Sequence, residues 1–457
     1  MASRRVLSGV ARRLEEVVHV AGDAAYTDTC TLFNSAIERH PAYVVRCRDA
    51  ADVADGIRFA RESGLPLSVR SGGHSVSGAS LCDDGVVLDI RSLDSVEVDP
   101  DTRTATAGGG AQTGAVDRAL QAHELATPLG RVSTTGVAGF TLGGGSGWME
   151  RRFGFSIDNL LSADLVTADG KLITANDETN SDLFWALRGG GGNYGVVTSM
   201  TFRAYPLGLA TSGLVLHPAA EGARILRGVR DFMRSAPDHI SIAFAYLYGP
   251  DDPSIPEELR GRLTAASWIW HLGEPGDAES ELREVRSLGS PLADFVEQGP
   301  YAERNGAMDD PPGYRNYFSA EHLGDLSDAA IDTIHEHAHG LPAGPGWTFL
   351  VPWGGAVGRP QRPSPLTNRD ASWVIHPGAF WNDPAQDDEA AAWVRTYKEK
   401  LRPYTTGGVW LNWIGDEGDA RIRSAFGDDN YHRLQEIKGR YDPDNIFRSN
   451  HNVPPAR

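Results

Sequence analysis

Short apolar runs separated by amphipathic stretches set the first expectations. Residues 43–47, YVVRC, predict a strand. Asp49 or Asp52 can cap the following helix, where Val53, Ile57 and Ala60 recur at helical spacing and Gly64-Leu65-Pro66 supplies the stop. Leu67-Ser68-Val69 then predicts a short strand running into a glycine turn. β segments at 86–90, 95–98 and 104–107 follow, and a helix at 113–123 closes a small α+β unit. Strand-like 163–167 and 171–174 flank Asp169-Gly170, a hairpin signal. A short helix at 182–187 and a strand at 196–202 come next, and Pro206 and Gly208 mark a boundary.

From 211 to 414 the texture changes. β-like segments at 240–248, 262–270, 347–353 and 408–414 alternate with helical segments at 219–235, 276–288, 326–339 and 386–401. This predicts an antiparallel sheet with helices on one face. Residues 1–40 read as a helix or two with an arginine-rich face, and the tail as a helix over 431–441 stopped by Asp442-Pro443.

Composition adds three constraints. Of the 457 residues, 52 are glycine, against a usual share of about 7%. They cluster at 72–73, 108–110, 143–147 and 189–195, which suggests close backbone approach to a ligand. The net charge of −18 argues against nucleic acid or an anionic membrane as partner. No apolar run reaches the roughly 18 residues of a membrane helix. The twin arginine near the start is not followed by an uninterrupted apolar stretch, so a cytoplasmic location is expected. Cys30, Cys47 and Cys82 form no paired motif.

Candidate chemistry centres on glycine. Gly190-x-Gly192-x-x-Gly195 matches a dinucleotide fingerprint in form, but a strand follows where a helix is required. The turn at 67–78, LSVRSGGHSVSG, lacks the lysine of a phosphate loop and presents His74. His335, His337 and His339 sit in the last turn before Gly340 and Pro342, where cations suit the helix dipole. No carboxylate or cysteine motif completes them, so no metal is expected.

Arg70-Ser71-Gly72-Gly73-His74-Ser75 closely resembles the attachment loop of the berberine-bridge-enzyme-like FAD-linked oxidases, within the vanillyl-alcohol-oxidase (PCMH-type) superfamily. Thr134-Thr135-Gly136-Val137-Ala138-Gly139, Leu142-Gly143-Gly144-Gly145-Ser146-Gly147-Trp148, Asn193-Tyr194-Gly195-Val196-Val197-Thr198 and Tyr441-Asp442-Pro443 match in order. The resemblance implies an α+β fold: a two-part FAD-binding module, 1–207 and 415–457, with an α+β substrate domain inserted at 208–414. It implies 8α-histidyl FAD on His74. Arg70, Ser71, Gly72, Gly73, Ser75 and Gly78 would hold the pyrophosphate. Val132, Thr134, Thr135, Gly136, Gly139, Gly143, Gly144 and Gly147 would pass beside the flavin ring, Val197 would contact the nucleotide, and Asn450 would return to the flavin.

Two departures shape the expected chemistry. Many members carry a second flavin link through a cysteine, where this chain has Val132, so one covalent bond is expected. Members often place tyrosines at the positions of Trp410 and Trp413, and an indole N–H cannot act as a base. On a strand those two tryptophans would face opposite sides, with Trp413 at the pocket. Trp413, Asn412 and Thr135 are the expected reacting-side residues. Tyr301, Tyr317, His376 and Arg369 remain open as contributors. The implied activity is hydride transfer from a small organic substrate to FAD, with O2 as acceptor and H2O2 as product. Alternatives are oligosaccharide or alcohol oxidation, or oxygenation through a flavin N5-oxide. Val132, Thr135 and an apolar residue at 140 resemble the oxygenating branch, although Phe140 is bulkier than the leucine expected there.

Overall fold

The computed structural model describes residues 13–456 apart from 250, 252, 254 and 308. The arginine-rich stretch at 1–12 lies outside the described residues. Three larger sheets and a two-stranded pair, Leu125–Ala126 with Tyr205–Pro206, carry the α+β fold expected from the pattern.

In the first sheet, Tyr43–Arg46 and Leu67–Arg70 both run parallel to Val86–Asp89, and Val18–His19 adds an antiparallel edge. The crossover helix Ala50–Ser63 starts where the Asp49 carboxylate accepts the N–H groups of Ala51 and Asp52, at 2.9 and 3.0 Å. It ends at Gly64, whose φ of +65° suits glycine. Val53, Ile57 and Ala60 are fully buried. Burial of an aliphatic side chain of this size contributes about 1.5–3 kcal/mol.

The second sheet is antiparallel and contains the expected hairpin, Leu160–Val166 with Leu172–Asn176, turned at Gly170. Its central strand is Val196–Arg203.

The third sheet has nine strands. Successive residues of its central strands face opposite sides of the sheet, both of them buried. Ile242, Phe244, Leu350 and Ile375 pack against the helices Gly222–Met233, Ala278–Arg286, Asp328–Ala338 and Asp387–Leu401. Ala243, Ala245, Phe349 and Val351 join the other core, with Leu129 and Trp148 of the N-terminal part.

Six strands of this sheet are not legible in the pattern, four of them short and two long. Leu209–Pro218 is buried at nearly every position, so it shows no alternation. Trp373–Trp381 contains Pro377-Gly378, which reads as a break. The sheet tolerates it because Arg315–Phe318 and Glu321–Leu323 pair on that side with a gap between them, opposite Pro377. Conversely, 408–414 is not a strand. Leu411–Trp413 forms a 3₁₀ turn, held by Asn412 Nδ2 donating to the Phe140 carbonyl at 3.0 Å.

The helix Asp419–Tyr441 begins earlier than expected and is broken at Gly427, φ +70°. Its C-terminal turn is buttoned down. Lys438 Nζ donates to Asp442 at 2.6 Å and to the carbonyls of Asn193 and Phe447. This ties the tail to the glycine run at 189–195. Among the described residues, no helix is long and apolar enough to cross a membrane.

Candidate functional site

A cavity of 1390 Å³ opens where the glycine turn, the segment 130–146, one face of the nine-stranded sheet and the C-terminal segment meet.

The turn is positioned by the parallel strand Leu67–Arg70 and by exclusion of Cβ atoms. A Cβ on Gly72 would stand 2.2 Å from Gly136 N, so the two loops touch backbone to backbone. Ser71 Oγ donates to the Gly109 carbonyl at 2.8 Å, and Gly73 takes φ +78°. His74 follows, its ring stacked on Phe33 at 4.3 Å and its Nε2 2.9 Å from Thr134 Oγ1. Burial, and then the Arg70 charge, push the imidazole down to about 4. His74 is therefore neutral across ordinary pH.

Of the residues expected at the cofactor, Ser71, Gly72, Gly73, His74, Ser75, Val132, Thr135, Gly136, Gly139, Gly143, Val197 and Asn450 border the cavity. Five do not. The Arg70 guanidinium turns away and donates to the carbonyls of Asp28, Thr29 and Thr31, closing the helix Ala24–Cys30. Gly78, φ +73°, gives its turn close contact with Ile37. Thr134 serves His74 from the side. Gly144 makes room for Trp410, and Gly147 for the Leu129 carbonyl.

Asn412 and Trp413 border the same cavity, while Trp410 is buried against Phe155 and Trp353. The two tryptophans thus separate through a 3₁₀ turn, not through strand alternation. Trp413 stacks on His376 at 4.6 Å. Arg131 lies over Trp148 and Trp413 and pairs with buried Glu150 at 2.9 Å. Phe318, Trp347 and Phe349 extend the aromatic wall.

Of the four residues left open, His376 is the one that borders the cavity. Tyr301, Tyr317 and Arg369 do not border the cavity, and Arg369 is committed to Asp158. The carbonyl of Ser319 can only accept, so His376 Nδ1 carries the proton, at 2.9 Å. Nε2 is left as a lone pair on the cavity side. Burial holds this imidazole down to about 3. Sequence offered no signal for this placement, because it depends on the strand pairing across Pro377.

The donor set suits a flavin nucleotide. The touching glycine loops leave backbone access for phosphate oxygens. Asn412 and Asn450 border the cavity, with Asn412 packed against Gly143, so that glycine again clears the backbone beside the site. None of the three cysteines borders the cavity.

Two family models match the chain, an FAD binding domain over residues 41–176 and a berberine and berberine-like segment over 411–454. The (R)-6-hydroxynicotine oxidase of Paenarthrobacter nicotinovorans is 30% identical over 455 residues, covering 95% of each chain. An uncharacterised FAD-linked oxidoreductase of Bacillus subtilis, YgaK, is 29% identical over 447 residues, 95% of this chain and 96% of its own. The crystal structure of 6-hydroxy-D-nicotine oxidase from Arthrobacter nicotinovorans superposes with a TM-score of 0.87 at 27% identity, covering 96% of this chain and 98% of its own. Physcomitrella patens BBE-like 1 shares the fold, with a TM-score of 0.87 at 22% identity and full coverage of both chains.

Proposed function

Because this chain belongs to the berberine-bridge-like family of FAD-linked oxidoreductases, we propose that it is an oxidase of a small, largely apolar or aromatic organic molecule. One FAD would be held covalently, through His74. The observation that carries this reading is the shared cavity, with a neutral histidine in a glycine turn on one side and an aromatic wall around an imidazole lone pair on the other.

FAD, when bound, would supply the hydride acceptor, with O2 as the final oxidant giving hydrogen peroxide. The chain's own residues hold and orient. Thr134 steadies the His74 ring for its link. Val132 offers no thiol for a second one, and the nearest cysteines lie elsewhere. Asn412 and Asn450 would border the cofactor. The aromatic wall excludes water and packs a flat substrate.

The substrate's O–H or N–H proton needs an acceptor, and Trp413 cannot provide one. His376 Nε2 takes that role. With its imidazole held down to about 3, Nε2 accepts the hydrogen bond and orients that O–H or N–H as the hydride departs, while Ser319 fixes the tautomer.

An anaerobic screen of small aromatic alcohols and amines, headed by (R)-6-hydroxynicotine, tests the reading by bleaching of the flavin. Admitting air should restore the colour with one peroxide per substrate. Labelled oxygen in the product, with little peroxide, would instead support the oxygenating alternative, which the cavity positions of Val132 and Thr135 favour.

A further inference from the structure

At one end of the nine-stranded sheet, away from the flavin cavity, three ligating side chains converge. His239 directly precedes the strand Ile240–Tyr248, and His271 closes the neighbouring strand Leu263–His271. The register pairs Ile240 with His271, so both imidazoles issue from adjacent strand ends. Glu281 reaches them from the helix Ala278–Arg286.

Their geometry is convergent. His239 Nε2 and His271 Nε2 stand 2.7 and 2.8 Å from the same oxygen, Glu281 Oε2. All three ligand atoms lie within 4.8 Å of one another. The rings meet edge to face at 5.0 Å. Gly273 makes this possible. A Cβ there would lie 2.7 Å from His239 Cδ2 and 2.9 Å from His271 Cε1. Its φ is not positive, so the space taken by the rings, and not the backbone, calls for glycine.

The surroundings suit a cation. Among the described residues, Glu281 has no lysine or arginine within ion-pair distance, and its recorded charge partners are the two imidazoles. His271 is buried and fixed. The side chains of His239 and Glu281 are 27% and 34% exposed, which leaves them adjustable and open to solvent. None of the three borders the flavin cavity. By contrast, His335, His337 and His339 are separately engaged, with Tyr246, with the Trp393 carbonyl and with the His335 carbonyl.

We propose that His239, His271 and Glu281 bind a divalent transition-metal ion of the zinc class. Two imidazole nitrogens and one carboxylate oxygen are the donors such ions take, with water completing a tetrahedron. Ligands at about 2.0–2.1 Å from zinc stand about 3.3 Å apart, so the Nε2–Oε2 distances widen by about half an ångström. The exposed side chains can supply that movement. The bound ion ties two strand ends to the helix, and its effect is on stability.

The test uses chelator-treated holoprotein, with Zn²⁺ alone as titrant, read by calorimetry and by thermal unfolding. The expected result is one high-affinity Zn²⁺ per chain and a raised unfolding temperature, with flavin content unchanged. His239→Ala, on the surface, and Glu281→Gln should each weaken binding by about a hundredfold or more. Gly273→Ala, which keeps all three ligands, should weaken it as well. Stoichiometric uptake that His239→Ala and Glu281→Gln leave unchanged would overturn the site. Absence of uptake in the parent protein would leave a hydrogen-bonded triad only, and would equally overturn it.

Discussion

His74 can form a bond through a ring nitrogen only while that nitrogen keeps its lone pair. A free imidazole loses it below about pH 6.5. Here burial and the Arg70 charge lower the value to about 4. The sign follows directly: the neutral form is complete at high pH and is lost only as pH falls through about 4. Attachment of added FAD to apoprotein should therefore proceed at a constant rate between about pH 8 and pH 5. Following protein-bound fluorescence after denaturation would check this, and an inflection near pH 6.5 would contradict it. His376 is neutral for the same reason but has a different task. His376→Leu should slow flavin reduction by substrate about 10²–10⁴-fold in stopped-flow measurements. Its FAD content should match the parent, because His376 sits against Trp413 and Ser319 and not in the turn at His74.

At the scale of elements, the two halves of the chain were legible to different degrees. The crossover helix announced itself through Asp49, the Val53–Ile57–Ala60 spacing and Gly64, and the structure reproduces each. The hairpin around Gly170 was equally plain. Leu209–Pro218 and Trp373–Trp381 were not, since a strand buried on both faces has no alternation and Pro377 mimics a stop. At the site, glycines that touch another loop could be read as a ligand-facing group, but sequence does not say what each one faces. Gly72 and Gly136 meet at the cavity, whereas Gly144 and Gly147 make room for Trp410 and Leu129. Arg70 sits in the attachment motif yet spends its donors on helix-end carbonyls. The buried Lys438–Asp442 pair is the element-scale lock on the tail. Lys438→Met strands the Asp442 carboxylate and should cost about 3–5 kcal/mol in urea unfolding. A change below about 1 kcal/mol would mean that the backbone N–H groups of Ile446 and Phe447 already satisfy it.

For the whole molecule, the cavity belongs to no single stretch of sequence. One side comes from the turn at His74 and the glycine runs, its wall from the nine-stranded sheet, and its closing edge from Asn412, Trp413 and Asn450. Beside the aromatic wall, the cavity rim also carries Asp251, Asp294, Glu297, Asp309 and Asp310, so part of the −18 charge borders the site. The account stands or falls on the link at His74, and mass spectrometry of the acid-denatured chain tests it most directly. The expected result is the chain mass plus one FAD, with the flavin on the peptide that carries His74. A bare chain with free flavin in the supernatant, or flavin on any other residue, would contradict it.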